Sequence, residues 1–458
     1  LQRNSEHHGA KMLRKYAIMR IESINLVNYR CHALLQVDLK PGFNVIVGVN
    51  GSGKTSLLKA ICDVLTGFSQ HLSLMNGNYH ALDDANVVRL KGEVIQGSYR
   101  FEPQYPVQIT ATGYAFEAKC RWTVQKNSQV DATQINGPSP GLIWQTKQYA
   151  IGQTSENVQA RLNLPIIAFY RANRHWNQPQ PHEMQAATAR NARTDGYTSW
   201  WDASLDSSAL QYWVIGKCLE RFQTSSETGI SFDDIRSDEL ALVNQALALA
   251  VEGTKGLKYD LKQKSLLVEW SNTIDSPREP TAFENLSDGQ RAVIGLVADI
   301  ARRMCVLNPQ LGHEVTNETP GVVLIDELDM HLHPRWQRIL TSGLKRAFPK
   351  IQFIVASHSP QVLGELKPEE IILLRPSGTA HPQVSYGLTS SQVLEEIMDA
   401  TARTPDVERL LSEIFELLER GALLTAKEKL DALKTTAPGI PELAGAQALL
   451  RRKEVLGR

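Results

Sequence analysis

One octapeptide constrains this chain more than any other stretch: Gly48-Val49-Asn50-Gly51-Ser52-Gly53-Lys54-Thr55. It fits G-x-x-x-x-G-K-[ST], the spacing of a loop that wraps phosphate. The apolar, β-branched Phe43-Asn44-Val45-Ile46-Val47 before it reads as a buried strand. Ser56 to Leu65 after it carries helical apolar spacing, with Gly67 as the expected stop. Strand, glycine loop and helix form the arrangement that such a motif needs. Glycines let successive N–H groups turn inward, and the helix start adds unpaired donors and its dipole. The segment Asn50, Gly51, Ser52, Gly53, Lys54, Thr55 and Ser56 is therefore the candidate nucleotide cradle. In such a cradle Lys54 can reach the β- and γ-phosphates and Thr55 can ligate Mg²⁺.

The loop fixes neither the size nor the class of the rest. With 458 residues the chain has room for two or three domains, or one with large insertions. Lys+Arg and Asp+Glu are both 49, so no overall basic charge marks a nucleic-acid binder, although local patches stay open. The five cysteines, Cys31, Cys62, Cys120, Cys218 and Cys305, are scattered without a C-x-x-C pair. That spacing argues against zinc and against a disulfide framework, and suits a reducing cytoplasm. No apolar run approaches the roughly 20 residues that span a bilayer, so no membrane contact is expected. Met19 is a candidate natural start, and residues 1–18 receive no function.

In chain order, Arg20 to Val27 and Ala33 to Leu39 alternate like half-buried strands around the break Asn28 to His32. Val87 to Val94 and Tyr105 to Gln125 read as further strands of an antiparallel subdomain, with Gly113 a turn or bulge. Asn127 to Gly141 is a loop, and Leu164 to Tyr170 a buried core strand. The polar stretch Arg171 to Tyr197 holds Arg171, Arg174, His175, Trp176, Arg190 and Arg193. It is either a solvated loop or a contact to phosphate or nucleic acid. Ser204 to Phe222 and Asp238 to Val251 have helical spacing, and Leu257 to Trp270 resembles a hairpin. No long heptad run indicates a coiled-coil arm.

Three later motifs complete the loop. Leu286-Ser287-Asp288-Gly289-Gln290 opens an apolar helical pattern, so Ser287, Gly289 and Gln290 would offer donors at a helix start. Val322-Val323-Leu324-Ile325 is a buried parallel strand ending in Asp326 and Glu327. Asp326 is the candidate Mg²⁺ ligand, and Glu327 the base that polarises the attacking water. Ile351 to Ala356 is another buried strand, and it ends in Ser357-His358-Ser359-Pro360. His331 and His333 form an H-x-H pair without further ligands, which is weak as a metal site.

The order of these motifs resembles ABC-type ATPase heads of the RecF, OLD and chromosome-maintenance kind. That resemblance implies an α/β head: a mixed central sheet, an antiparallel β subdomain and a helical insertion. It implies ATP with Mg²⁺, Arg30 near the nucleotide, and His358 as the switch histidine at the γ-phosphate. It also implies a signature at Ser287 serving the opposite protomer of a homodimer or higher oligomer, and Asp329 in the loop that faces it. Asp288 departs from the usual signature glycine. Gln178, Gln180 and Gln185 are alternatives for the metal-sensing glutamine.

Ile24 to His32, Leu286 to Gln290, Asp326 to Pro334 and the tail from Tyr386 further resemble PtuA, the ATPase family of Septu anti-phage systems, also found beside retrons. This implies an HNH nuclease partner of the PtuB kind and, in some versions, a reverse transcriptase with its RNA–DNA product. A RecF-like repair ATPase is the alternative. The tail has no glutamate and D-x-D set of the sort an OLD nuclease domain carries. Its helical patterns read either as a bundle packed on the core or as a docking or dimer surface. The expected division is 1–18 extension, 19–380 ATPase with an insertion at about 70–280, and 381–458 helical docking region.

Overall fold

The computed structural model describes residues 18–69, 81–82, 87–95, 98–116, 118–137, 163–173, 183, 186, 192–271, 279–401 and 403–456. The chain divides into two compact units, Leu1–Gly387 and Leu388–Arg458, so the break falls seven residues beyond the expected 380/381.

The first unit is built on two sheets. Its strands are β1 (Ile18–Tyr29), β2 (His32–Asp38), β3 (Phe43–Val47), β4 (Leu90–Ile95), β5 (Ser98–Pro103), β6 (Val107–Phe116), β7 (Ala118–Lys126), β8 (Gln134–Asn136) and β9 (Ile166–Tyr170). There follow β10 (Thr254–Asp260), β11 (Ser265–Trp270), β12 (Thr281–Ala282), β13 (Gly321–Ile325), β14 (Ile351–Ala356), β15 (Ile371–Arg375) and β16 (Gly378–Ala380). The central sheet has the order β16-β15-β3-β14-β13-β9, parallel except for β16. Every residue of β3, β9, β13 and β14 is buried, which is why these strands read as nearly continuous apolar runs, interrupted only by Asn44 in β3 and Gln352 in β14. The second sheet is antiparallel, in the order β2-β1-β6-β7-β8.

Between the sheets lies α1 (Lys54–Ser69), which packs on strands of both. Leu57, Leu58, Ile61 and Leu65 are fully buried in one core with Ile24, Ile109, Ile167 and Ile354. Gly67 does not stop this helix. A Cβ there would lie 2.9 Å from Trp122 Cδ1, and the Trp122 indole donates to the Val64 carbonyl at 2.8 Å. The residue lets an indole close over the helix, so it is a packing glycine and not a cap. Gly113 likewise does not break β6. The bulge lies opposite, in β1, where the register slips between Ile21 and Ser23. A Cβ at Gly113 would sit 2.2 Å from the Arg20 carbonyl.

Among the described residues, the segment expected as an insertion at about 70–280 has four parts. β6 to β8 finish the antiparallel sheet that β1 and β2 begin, and β9 is an edge strand of the central sheet. β4 and β5 pair as a two-stranded sheet, and the remainder supplies a helical layer, α2 (Ser207–Thr228) and α3 (Glu239–Ala250), with the strands β10 and β11, which β12 joins just beyond the segment. The strand expected at Val87 to Val94 starts later, at Leu90, and Val88 makes only a single bridge to Tyr29. Two further helices frame the site: α4 (Asp288–Leu307) and α5 (Pro334–Ala347). The second unit holds α6 (Ser390–Glu396), α7 (Pro405–Glu419), α8 (Leu423–Thr436) and α9 (Glu442–Leu456), with a core of Leu411, Ile414, Leu418, Leu430 and Leu433 among others.

Candidate active site

β3, β14 and β13 are adjacent parallel strands, so the segments leaving their carboxyl ends meet. These are the phosphate loop, Ser357-His358 and Asp326-Glu327. Gly51 and Gly53 take φ of +82° and +94°, the left-handed region in which a glycine costs nothing. Lys54 opens α1, and its ammonium donates to the carbonyls of Gly48 (2.9 Å) and Val49 (3.1 Å), closing the loop on itself. Ser52 Oγ is buried with no hydrogen-bond partner among the described residues. A Cβ on Gly53 would lie 2.3 Å from His32 Nε2 and 2.6 Å from Cys31 Sγ. The β1–β2 turn therefore abuts the loop. Arg30 sits in that turn at φ +52°, its N–H donating to the Val87 carbonyl at 2.7 Å.

Charge ties the pieces together. Burial pushes the Lys54 ammonium below its ordinary range, against the pull of Asp326 and Glu327. Burial also lowers His358, helped by the positive charge of Lys54 and opposed by Asp329, Glu327 and Asp326. Lys54, Asp326, Glu327 and His358 thus share one field. Asp326 is 3% exposed, and its N–H donates to the Tyr170 carbonyl at 2.8 Å, one step beyond the β9–β13 ladder. Glu327 turns out of the strand at φ +49°, a left-handed conformation held at a cost. Beyond it, Asp329 Oδ1 accepts from Ser357 Oγ (2.6 Å) and from the His358 N–H (3.2 Å). Gln337 on α5 donates to the Asp329 and Leu332 carbonyls and accepts from Ser359 Oγ at 2.7 Å. The loops after β13 and β14 are therefore one hydrogen-bonded body.

Ser287 caps α4. Its Oγ accepts from the Gln290 N–H at 3.3 Å, and Gln290 Oε1 accepts from the Ser287 N–H at 3.1 Å. This is a capping box. Asp288, in place of glycine, pairs with Arg291 one turn on. A Cβ at Gly289 would meet the His331 carbonyl at 2.1 Å, so the signature and the Asp329 loop touch backbone to backbone. His331 is left-handed (φ +61°), while His333 caps α5 by accepting from the Arg335 N–H at 3.3 Å. The two histidines do separate structural work. Ser287, Gly289, Gln290, His331, His333 and Trp336 line a cavity of about 700 Å³. Of the described residues around that cavity, none belongs to the phosphate loop or to the Asp326-Glu327 pair. The signature residues line this cavity, and the phosphate loop does not.

Residues 23–267 match the family described as AAA domain. This chain belongs to the AAA domain family. Residues 238–364 of this AAA-domain chain also match a description reading AAA domain, putative AbiEii toxin, Type IV TA system. It is 24% identical over 464 residues to the Retron Vc95 probable ATPase of Vibrio cholerae serotype O1 biovar El Tor, covering 92% of this chain and 86% of that one. It is 26% identical over 460 residues to the Retron Ec83 probable ATPase of Escherichia coli, covering 87% and 80%. A shorter match, 35% over 142 residues, joins it to the Septu protein PtuA of Bacillus mycoides (strain KBAB4), covering 31% of this chain and 19% of that one. The protein is an ATPase of the AAA/ABC type, related to retron ATPases and to PtuA.

In this AAA-domain ATPase, two arginines of the polar stretch have structural partners. Arg193 Nε donates to the Leu307 carbonyl at the end of α4 (2.6 Å), and Arg171 lies 3.5 Å from Asp202. Arg174, His175, Trp176, Arg190 and the three alternative glutamines, Gln178, Gln180 and Gln185, lie outside the described residues. No helix among the described residues is long and apolar enough to cross a membrane. The sequence reading missed Gln337, Tyr170 and Asp299. For Asp299 a signal existed: a carboxylate inside the apolar helical run Val293 to Ile300, with arginines three and four residues on.

Proposed function

We propose that this ATPase is a slowly hydrolysing switch in an anti-phage defence complex, which controls a partner HNH nuclease of the PtuB kind through nucleotide-dependent pairing of two protomers. The carrying observation is the separation of its two half-sites. Lys54, Asp326, Glu327 and His358 sit in one field, whereas Ser287, Gly289 and Gln290 line a cavity that none of those four borders. A second protomer would bring the two halves onto one nucleotide. The relatives among retron and Septu proteins support the defence setting.

In this reading the backbone N–H groups of Asn50 to Ser56 and the Lys54 ammonium hold the phosphates, and Arg30 in the adjoining turn closes that side. The Thr55 hydroxyl and the Asp326 carboxylate are hard oxygen donors that suit Mg²⁺, whose charge would offset that of the β- and γ-phosphates. Glu327 orients the attacking water, and neutral His358 holds the γ-phosphate side. Ser287 and the N–H groups at Gly289 and Gln290 act on the γ-phosphate of the opposite protomer. The 388–458 helices would dock the partner, and in retron-linked versions a reverse transcriptase with its RNA–DNA.

The test is sedimentation and turnover of Glu327→Gln with ATP and Mg²⁺. Turnover should fall by about 10²–10³, and ATP should double the mass of the particle. An unchanged mass would sink the pairing, and unchanged turnover the base assignment. Co-expressed with the adjacent nuclease, the wild-type chain should make DNA cleavage depend on nucleotide. Cleavage by the ATPase alone would overturn the division of roles. DNA-stimulated turnover indifferent to any nuclease would point to a repair ATPase instead.

A further inference from the structure

Tyr170 ends β9 and is bonded in two directions. Its carbonyl accepts from the Asp326 N–H at 2.8 Å, fixing the peptide that leads into Asp326, one residue ahead of Glu327. Its hydroxyl, fully buried, donates to Asp299 Oδ2 at 2.8 Å. Asp299 stands on α4 and is 0% exposed. It is paired with Arg302 and Arg303, each at 2.7 Å, and Arg303 in turn donates to the Gly196 and Thr198 carbonyls. Burial alone would raise the Asp299 carboxyl, but the two guanidiniums outweigh it and hold the group ionised.

A buried tyrosine hydroxyl needs only one acceptor, and a backbone carbonyl suffices. Tyr197 does this with the Pro165 carbonyl at 2.8 Å, just ahead of β9. Tyr170 instead meets an ionised carboxylate, a stronger partner, and one that belongs to another element. That element begins at Ser287. A helix is stiff along its axis, so a displacement at its first turn reaches Asp299 about three turns later.

We propose that Tyr170 is a positioning residue for hydrolysis: it locks the Asp326-Glu327 turn to the signature helix, so that the seating of Ser287 is felt at the carboxylates of the same chain. This rests on the roles proposed above for Ser287, Asp326 and Glu327. Docking on the signature face then sets the water-orienting group of the other half-site, and the two half-sites of a protomer act together.

Tyr170→Phe removes the hydroxyl, leaves the carbonyl bond to Asp326 and leaves Asp299 its arginines. Tyr197→Phe deletes the same group at the other end of β9 and is the control. At saturating ATP, Tyr170→Phe should lower kcat by roughly tenfold or more while the ATP dissociation constant stays within about twofold. Tyr197→Phe should leave both unchanged, with a similar shift in melting temperature. Equal loss of kcat in both variants would make Tyr170 merely structural and overturn the assignment, as would a parallel loss of ATP affinity in Tyr170→Phe. Glu327→Gln in the same assay separates the two readings. If it still turns over, the carboxylate role has failed, whereas a Tyr170→Phe enzyme with wild-type kcat overturns the Tyr170 role in either case.

Discussion

The phosphate-loop unit buries charge, and among the described residues the C-terminal helical unit does not. Lys54, Asp299, Arg303 and Asp326 are all buried in the first, each within a web of partners. In residues 388–458 the core is aliphatic, built on Leu411, Ile414, Leu418, Leu430 and Leu433, and no polar side chain among the described residues is buried. Buried charge costs stability unless it is paired. A unit that keeps it at several places is constrained by chemistry. A unit that avoids it is constrained by packing alone, and whatever it does must be done by its surface.

Each half of that contrast can be broken separately. Lys54→Ala should abolish measurable nucleotide binding, a loss of at least about a hundredfold in affinity by equilibrium dialysis, with the helical unit intact. Binding that survived would mean the phosphate loop is not the cradle. In the other unit, Ile414→Ala empties a fully buried position and should cost that unit about 2–5 kcal/mol in a urea melt of the full chain, with turnover in the absence of urea preserved. Lost turnover would erase the division of labour between the units. Ser287→Ala removes the cap of α4 and should cost about 1 kcal/mol of stability, together with a larger fall in turnover than in ATP affinity. Equal falls in both would place Ser287 in ordinary binding.

The smallest effect concerns pH. Burial and Lys54 hold His358 below its ordinary 6.5, so the unfolded chain takes up this proton first as pH falls. The contribution of a neutral His358 to stability is thus complete above about pH 6.5 and is lost as acid carries the pH down through the folded value. His358→Gln should flatten that part of the stability profile. An identical wild-type and variant slope between about pH 7.5 and 5.5 would show that His358 titrates normally.

Where reaction chemistry dictates residue type, the text was readable. The strands Phe43 to Val47, Val322 to Ile325 and Ile351 to Ala356 were found because each is a mainly apolar run ending in a functional group. Gly67 and Gly113 misled because a glycine admits a neighbour as readily as it bends a chain, and the neighbours, Trp122 and the Arg20 carbonyl, are remote in sequence. Within 70–280 the text marked Leu164 to Tyr170 as a core strand but not its partner. β9 joins the central sheet through β13, about 150 residues further on. The Tyr170–Asp299 bond spans 129 residues and left no local mark except a carboxylate among aliphatics. In the tail only amphipathic spacing was visible, and that fixes a helix face without naming what the opposite face is for.

The left-handed Glu327 has a consequence for any effort to make this protein sturdier. At such a φ any side chain costs about 1–2 kcal/mol that glycine would not. Selection for heat endurance alone would therefore favour glycine at 327 and harvest well-folded, inert protein. A stability screen run without an ATP readout would count those clones as its best.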